Sequence, residues 1–300
     1  MKRKVIQLAG RTHVISLPSK WVKKYGIKKG DEVELQEAND NLIINTTSEL
    51  ATRKTTIDIT GFNTRLIWHA IVSAYVKGDE EIEIHFNNTT TLDPLTNKTC
   101  KTIETISQII DNLIGIEIIR HGKNHCVLKE ITKAKYEEYE NVLRRIFLIL
   151  SIEAADILEA AKTKDNTIKE NIKYSEANIN KLCNYSLRLL NKKIYNSHLQ
   201  TIMHYRTITN LEEIGDIYAK LAENIIKNSI NTNILAKTNK LLEMLCEIHY
   251  TPNKEQIIKA YDLRHSIKES LKKQKNKQAN DIIRITDKIM DVLHYSTSKS

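Results

Sequence analysis

Glycine and proline are scarce in this chain, 8 and 3 among 300 residues. Both punctuate secondary structure, glycine through a loose backbone and proline through its missing N–H. So few breakers predict long uninterrupted elements and a mainly α protein. Aromatic residues are also few, at 6%. The four cysteines, Cys100, Cys126, Cys183 and Cys246, stand far apart and form no CxxC pair. That spacing offers neither a zinc site nor a disulfide framework, and buried thiols are expected. The longest apolar run near a helix is "IFLIL", residues 146–150, far short of the roughly 20 residues that cross a bilayer. "VIQLAG" at the N-terminus is too short for the apolar core of a signal peptide. No membrane span and a cytoplasmic location are expected.

One more absence is local. Residues 1–30 contain no Asp or Glu, and the first acid is Asp31. The same segment holds Lys2, Arg3, Lys4, Arg11, Lys20, Lys23, Lys24, Lys28 and Lys29, nine cations that equal the whole formal net charge of +9. The rest of the chain is charge-balanced. A cationic head on a neutral body is the footprint of a polyanion partner. A disordered basic arm is the plainer alternative, and the residue pattern argues against it. "KVIQL" and "THVISL" are β-branched runs around Gly10, a hairpin signal. "LPSKWVKKYG" reads as two helical turns, with Pro18 in the first turn and Gly26 past the end. A strand, an Asn39–Asp40 turn and a last strand follow. The first 46 residues therefore read as β-β-α-β-β.

So short a unit cannot bury much core alone and should borrow surface from a second copy. Its order, with "ISLPSKW" and "GIKKGDEVEL" as the most specific stretches, resembles the AbrB/SpoVT family over residues 3–46. The resemblance implies a swapped-hairpin homodimer that binds double-stranded DNA. Arg3, Lys4, Arg11, Lys20, Lys23 and Lys24 are the candidate DNA contacts. Lysines mostly position on phosphate, and Arg11 beside the turn glycine is the candidate for a base edge. His13 is read as structural.

The chain length suggests two or three domains, and the pattern gives three: 1–48, 52–131 and 134–296. The middle segment reads β-α-β-α-β-β, a small α/β layer, with "NNTTTLDPLTN" as a polar loop. His121, His125 and Cys126 near its last hairpin lack the partners a metal site needs. From about residue 134 the pattern is helical throughout. One face of a first helix carries Leu143, Phe147, Leu150, Ile157 and Ala161. Ile168, Ile172, Ile179, Leu182 and Leu190 mark a second, and Ile202, Ile214, Leu221 and Ile225 a third. Three shorter helices follow, the fifth expected to start at Thr251–Pro252. Two repeats, 134–230 and 232–296, are indicated. "LEEIGDIYAKL" and "IIRITDKIMDV" share Ile-x-Asp, so Asp216 corresponds to Asp287.

Glu212 and Asp216 lie four residues apart on one helix face, at ~160° from Ile214. Two readings stand. One is a solvated acidic face with Arg206, Lys220 or Lys227 as partners. The other is a hard-cation site, since like charges one turn apart repel unless a cation offsets them.

"HYRTITNLEEIGDIYAKLAENI" resembles the signature of the PhoU family. That resemblance, over roughly residues 136–296, implies a six-helix double three-helix bundle. It also implies a metal ion (iron, Mn, Mg or Zn) at Glu212, Asp216 and Asp287, with Glu153 and Asp156 able to approach. In the second repeat Ile283 stands where the first has Glu212. The combination of head, middle layer and body resembles archaeal-type phosphate uptake regulators. It implies a DNA-binding repressor of phosphate transport. The alternative is an adaptor that docks on a phosphate transporter ATPase without binding DNA, and a metal-dependent phosphoesterase is the third reading. The chain contains no glycine-rich phosphate loop, GxSxG or HExxH, so a non-enzyme is expected.

Overall fold

The computed structural model describes residues 2–8, 10–38, 41–46, 53–132, 136–164, 167–192, 198–225, 231–274 and 276–297. The Asn39–Asp40 turn and Lys227 lie outside them. Two compact units divide the chain, residues 1–53 and 54–300.

In the first unit β1 (Ile6–Leu8) and β2 (Thr12–Val14) form an antiparallel hairpin, with Ile6 opposite Val14 and Leu8 opposite Thr12. Gly10 turns it at φ 76°, a left-handed conformation that costs other residues more. Helix α1 (Ser19–Lys24) follows, with Pro18 as its N-cap rather than inside its first turn. A second hairpin pairs β3 (Val33–Ala38) with β4 (Asn41–Thr46). Each hairpin is a separate two-stranded sheet.

The second unit begins with an α/β layer. Strand β5 (Lys54–Asp58) runs parallel to β6 (Glu81–His85), joined through helix α2 (Thr64–Lys77). A parallel pair needs such a crossover. Asn63 caps α2, its side-chain oxygen accepting the Leu66 N–H at 2.9 Å. Strands β9 (Ile116–His121) and β10 (His125–Glu130) complete a four-stranded sheet in the order β5-β6-β10-β9. The stretch expected as a polar loop is instead largely a hairpin, β7 (Thr90–Asp93) with β8 (Lys98–Lys101), outside the main sheet. Its Thr-rich strands are short, and Pro94 sits at the tip, where no ladder N–H is needed. Helix α3 (Thr102–Asp111) returns the chain to β9.

Six long helices follow among the described residues: α4 (Tyr136–Thr163), α5 (Ile168–Asn191), α6 (His198–Ile225), α7 (Thr232–Tyr250), α8 (Lys254–Leu271) and α9 (Lys277–Thr297). Helices α4, α5 and α6 pack together, as do α7, α8 and α9. The two sets join where α6 lies on α9 and α4 on α7. Glu213 of α6 pairs with Arg284 of α9, 71 residues on, at 3.1 Å. The same offset of 71 residues separates Asp216 from Asp287. Helix α8 starts two residues later than expected. Asn253 caps it, accepting from Glu255 N–H at 2.9 Å and Gln256 N–H at 3.2 Å, a role for which an amide is better suited than the Thr251–Pro252 pair.

One apolar cluster runs from Ile59 through Leu293, so layer and helices share a core. Of the helix faces read from periodicity, Leu143, Phe147, Leu150, Ile157, Ile168, Ile172, Ile179, Leu182, Leu190, Ile214 and Leu221 are buried. Ile202 is exposed, contrary to expectation. It lies in the first turns of α6, before that helix enters the packed region. Helix α5 also ties the layer to the helices. Arg188, fully buried, donates from Nη1 to the Tyr75 carbonyl at 2.5 Å, while its Nη2 lies 3.3 Å from Glu130. Lys192 bridges Glu130 at 2.5 Å and Glu80 at 3.1 Å. Among the described residues no helix is long and apolar enough to cross a membrane.

Candidate nucleic-acid interface and a buried acidic cluster

The two units carry two different candidate sites. In the first, all nine cations of residues 2–29 are exposed, and none joins an ion pair with a described residue. Hydrogen bonds set the turn that bears Arg11: Gln7 Nε2 donates to the Gly10 carbonyl at 2.9 Å, and Arg11 N–H to Leu8 O at 3.4 Å. The guanidinium therefore stands at a hairpin tip, held by backbone and free at its end. On α1, Trp21 and Tyr25 pack ring to ring at 5.5 Å, half-buried, while Lys20, Lys23 and Lys24 remain exposed. Lys24 Nζ reaches over the Tyr25 ring at 5.3 Å. Arg3 and Lys4 extend from the start of β1.

The same unit has an apolar side that is exposed among the described residues. Period-2 alternation puts Ile6, Leu8 and Val14 on one face of the first hairpin. Val33, Leu35, Leu42 and Ile44 share one face of the second. Yet Ile6 is 54% exposed, Leu8 53%, Leu35 58% and Leu42 52%. Among residues before Ile59 whose burial is described, none is buried. Among the described residues, two amphipathic hairpins with exposed apolar faces form no buried core in the first unit.

The second site lies among α4, α5 and α6. Gly215 explains how these helices come so close. A Cβ at that position would stand 3.2 Å from Ile179 Cδ1 and 3.3 Å from Leu150 Cδ2. Flanking it, Glu212 and Asp216 do not project onto a free acidic face, as the wheel suggested. Both are half-buried, and no ion pair with a described residue involves either. The Asp216 charge acts on Glu153 of α4, on Glu176 of α5 and on the Cys183 thiol.

Glu153 is the most unusual of the group. It is fully buried, and neither carboxyl oxygen has a hydrogen-bond partner. Burial first, then the charges of Glu176, Asp156 and Asp216, push its pKa up to about 8. Burial and Asp216 also raise Glu176, with Glu223 adding to the effect. Glu212 is raised by burial, Asp216 and Glu213. Such crowding of acids is costly without a proton or a cation. Glu153 and Asp156, named from the sequence, and Glu176, which was missed, thus share the site with Glu212 and Asp216. Glu176 sits in a polar stretch of α5, and no sequence signal distinguishes it from Glu170 nearby.

Asp287 stands elsewhere electrically. Its Oδ1 is 2.8 Å from Arg264 Nη2 and 2.7 Å from Lys268 Nζ, and these cations hold it below the ordinary carboxylate range against the effect of burial. In the second repeat the cation opposite the aspartate comes from the protein itself. Glu213, not singled out from sequence, faces α9 and is likewise neutralised by Lys288 at 2.6 Å and Arg284 at 3.1 Å. Among the described residues no three His, Cys, Asp or Glu side chains are arranged as a complete metal-ligand set.

Residues 6–49 match the family described as antidote-toxin recognition MazE, bacterial antitoxin. Residues 6–49 are thus similar to a MazE/AbrB-like domain, which is consistent with DNA-binding regulation. No curated protein and no solved structure matches the chain.

Proposed function

We propose that this protein is a dimeric DNA-binding regulator whose helical body reports phosphate status and restrains phosphate uptake. One observation carries the DNA part: nine exposed, unpaired cations stand on a unit with no acid before Asp31 and no core of its own. Pairing two such units would bury their apolar faces and bring eighteen cations to one assembly. The similarity of residues 6–49 to the MazE family supports this reading. The phosphate part rests on the resemblance of residues 136–296 to PhoU proteins and on the Ile-x-Asp pattern shared by Asp216 and Asp287.

The orphaned Glu153 carboxyl supports reading the acidic cluster as a place for a hard cation, whose binding would have to draw in carboxylates that the structure does not hold as a ligand set. Glu153, Glu176, Glu212 and Asp216 would hold it, with Asp156 nearby. A bound iron, Mn, Mg or Zn ion would supply the positive charge that these carboxylates lack. Asp287 does not fit this role, because Arg264 and Lys268 already neutralise it. What the chain itself contributes is coupling. Helix α5 carries Glu176 in its first half and Arg188 in its last turn, with Lys192 as its C-cap; Arg188 and Lys192 are the ties to the α/β layer. A change in charge at the cluster is thereby felt along one rigid element. Regulation requires only that two states of the body differ in DNA affinity.

The test has two arms. The full chain should bind duplex DNA with an affinity that falls about a thousandfold or more between 50 and 200 mM salt. Genome-wide occupancy should lie near phosphate-transport genes and change with phosphate supply. Salt-independent or absent binding overturns the DNA reading. Occupancy indifferent to phosphate removes the phosphate reading and leaves the other standing. Adding Mn²⁺ at pH 8 should raise the melting temperature of the wild type but much less that of Glu153→Gln. An equal rise in both would remove the metal reading.

A further inference from the structure

A cavity of about 500 Å³ opens in the α/β layer, far in sequence from both sites above. Its walls are the first turns of α2, the last turns of α3 and the tip of the β7–β8 hairpin. That hairpin belongs to no larger sheet, and one visible consequence of its presence is this wall. It is firmly fixed. Thr91 Oγ1 donates to the Phe62 carbonyl at 2.6 Å, and Thr102 Oγ1 to the Asn88 carbonyl at 2.7 Å. Asp93 closes the tip, accepting Leu95 N–H at 3.0 Å and the Thr96 hydroxyl at 2.6 Å. The cavity is therefore preformed, and its volume lies in the range of small-molecule sites.

Its lining has a specific chemistry. Asp93 is consumed by the hairpin, so it offers little to a ligand. Arg65, exposed at the rim, has no anionic partner among the described residues. Trp68 is 40% exposed and Leu95 82%, large apolar groups left in water beside a concavity. His69 packs edge-on against Trp68, their ring centroids 5.1 Å apart. The Gln108 side chain is free of described partners. Asn112 donates to the Gln108 backbone carbonyl at 2.9 Å and keeps its own amide oxygen available. An unpaired guanidinium, a bared indole and two amides form a complementary set: anion receptor, stacking surface and edge readers.

We propose that this cavity binds a small organic anion carrying a flat heteroaromatic ring, with Arg65 holding the anion, Trp68 the ring, and Gln108 and Asn112 the ring's polar edge. Nucleoside monophosphates have this chemistry in its simplest form. The proposal stands apart from the DNA and phosphate readings, because the site can be assayed without either.

Calorimetric titration of the full chain with adenosine, guanosine, cytidine and uridine monophosphates tests it. At least one should bind saturably with Kd below about 1 mM. The same ligand should quench Trp68 fluorescence in a Trp21→Phe chain, in which Trp68 is the remaining indole. Arg65→Ala and Trp68→Leu should each weaken binding by about tenfold or more while leaving circular dichroism unchanged. Arg65→Lys should recover part of the loss. Two controls separate the halves of the ligand: inorganic phosphate alone and the parent nucleoside alone should each bind at least about tenfold more weakly. Absence of binding by all four monophosphates overturns the proposal. So does binding that survives both Arg65→Ala and Trp68→Leu, which would place the ligand elsewhere. Phosphate alone binding as tightly as the nucleotide would reject the ring and with it the assigned class.

Discussion

Residues 2–46 and residues 54–297 handle charge and apolar surface in opposite ways. In the first region cations are exposed and unpaired, and large aliphatic side chains face water. In the second, aliphatic side chains form a continuous core, and the buried Arg188 has a carboxylate, a carbonyl and the Tyr75 ring around it. The second region follows the rules of a finished folding unit. The first follows them only if something else completes it. The contrast teaches why the proposed function makes the head an assembly part, while the body has a core of its own.

The most severe way to break this contrast is to charge the bare face of the head. In a monomer, Ile6→Asp with Leu8→Asp is a surface exchange, and each should cost within about 0.5 kcal/mol. In an interlaced dimer the same pair enters the core. The expected outcome is a monomer by light scattering and loss of duplex binding. A double variant that stays dimeric and binds DNA normally would refute the assembly.

In the body, Arg188→Met removes the cation beside buried Glu130. It should cost about 3 kcal/mol in urea unfolding, the low end for a broken buried pair, because Lys192 remains. The same substitution should leave head dimerisation intact.

Glu153 sharpens the comparison through pH. Its pKa is raised from 4.5 to about 8 in the folded chain. Between these values the native state holds a proton that the unfolded state has released. Stability therefore falls as pH rises from about 4.5 through 8, and no further above that. Glu153→Gln should match the wild type near pH 5 and exceed it at pH 9 by on the order of 2–4 kcal/mol. Parallel curves across that range would contradict the assigned burial. The exposed cations of the head should show no such signature.

Smaller effects divide the head itself. Arg11→Ala should cost about 1–3 kcal/mol at one base position and relax preference there. Lys23→Ala should weaken all sequences alike and reduce the salt slope by about 1. At the bottom of the scale, Gly215→Ala sets a helix-propensity gain of up to about 1 kcal/mol against two contacts near 3.2–3.3 Å. With overpacking costing about 1–3 kcal/mol, a net loss of about 1 kcal/mol is expected by thermal melting.

Much of the architecture was legible because the relevant signals are local. Helical spacing of Ile168, Ile172, Ile179 and Leu182 states which face is inward, and all four are buried. The turn at Gly10 and the stop at Gly26 are written in single residues with positive φ. The β7–β8 hairpin was not legible. Thr and Asn are ambiguous between loop and strand, and its fixing bonds run to Phe62 and from Thr102 of α3, on other segments. At the acidic cluster, spacing paired Glu212 with Asp216, but nothing in a helix repeat marks Glu176 as their neighbour. Nor could repeat alignment separate Asp216 from Asp287, since Arg264 and Lys268 arrive from α8.

The sequence alone determined that the excess positive charge occupies the first thirty residues and that the body is helical. These follow from composition and from a period of 3.6, which need no knowledge of distant contacts. Only the tertiary structure decided which carboxylates lose their water and which gain a cation. Desolvation and Coulomb energy depend on distances between helices, and the order of residues along one chain does not contain them.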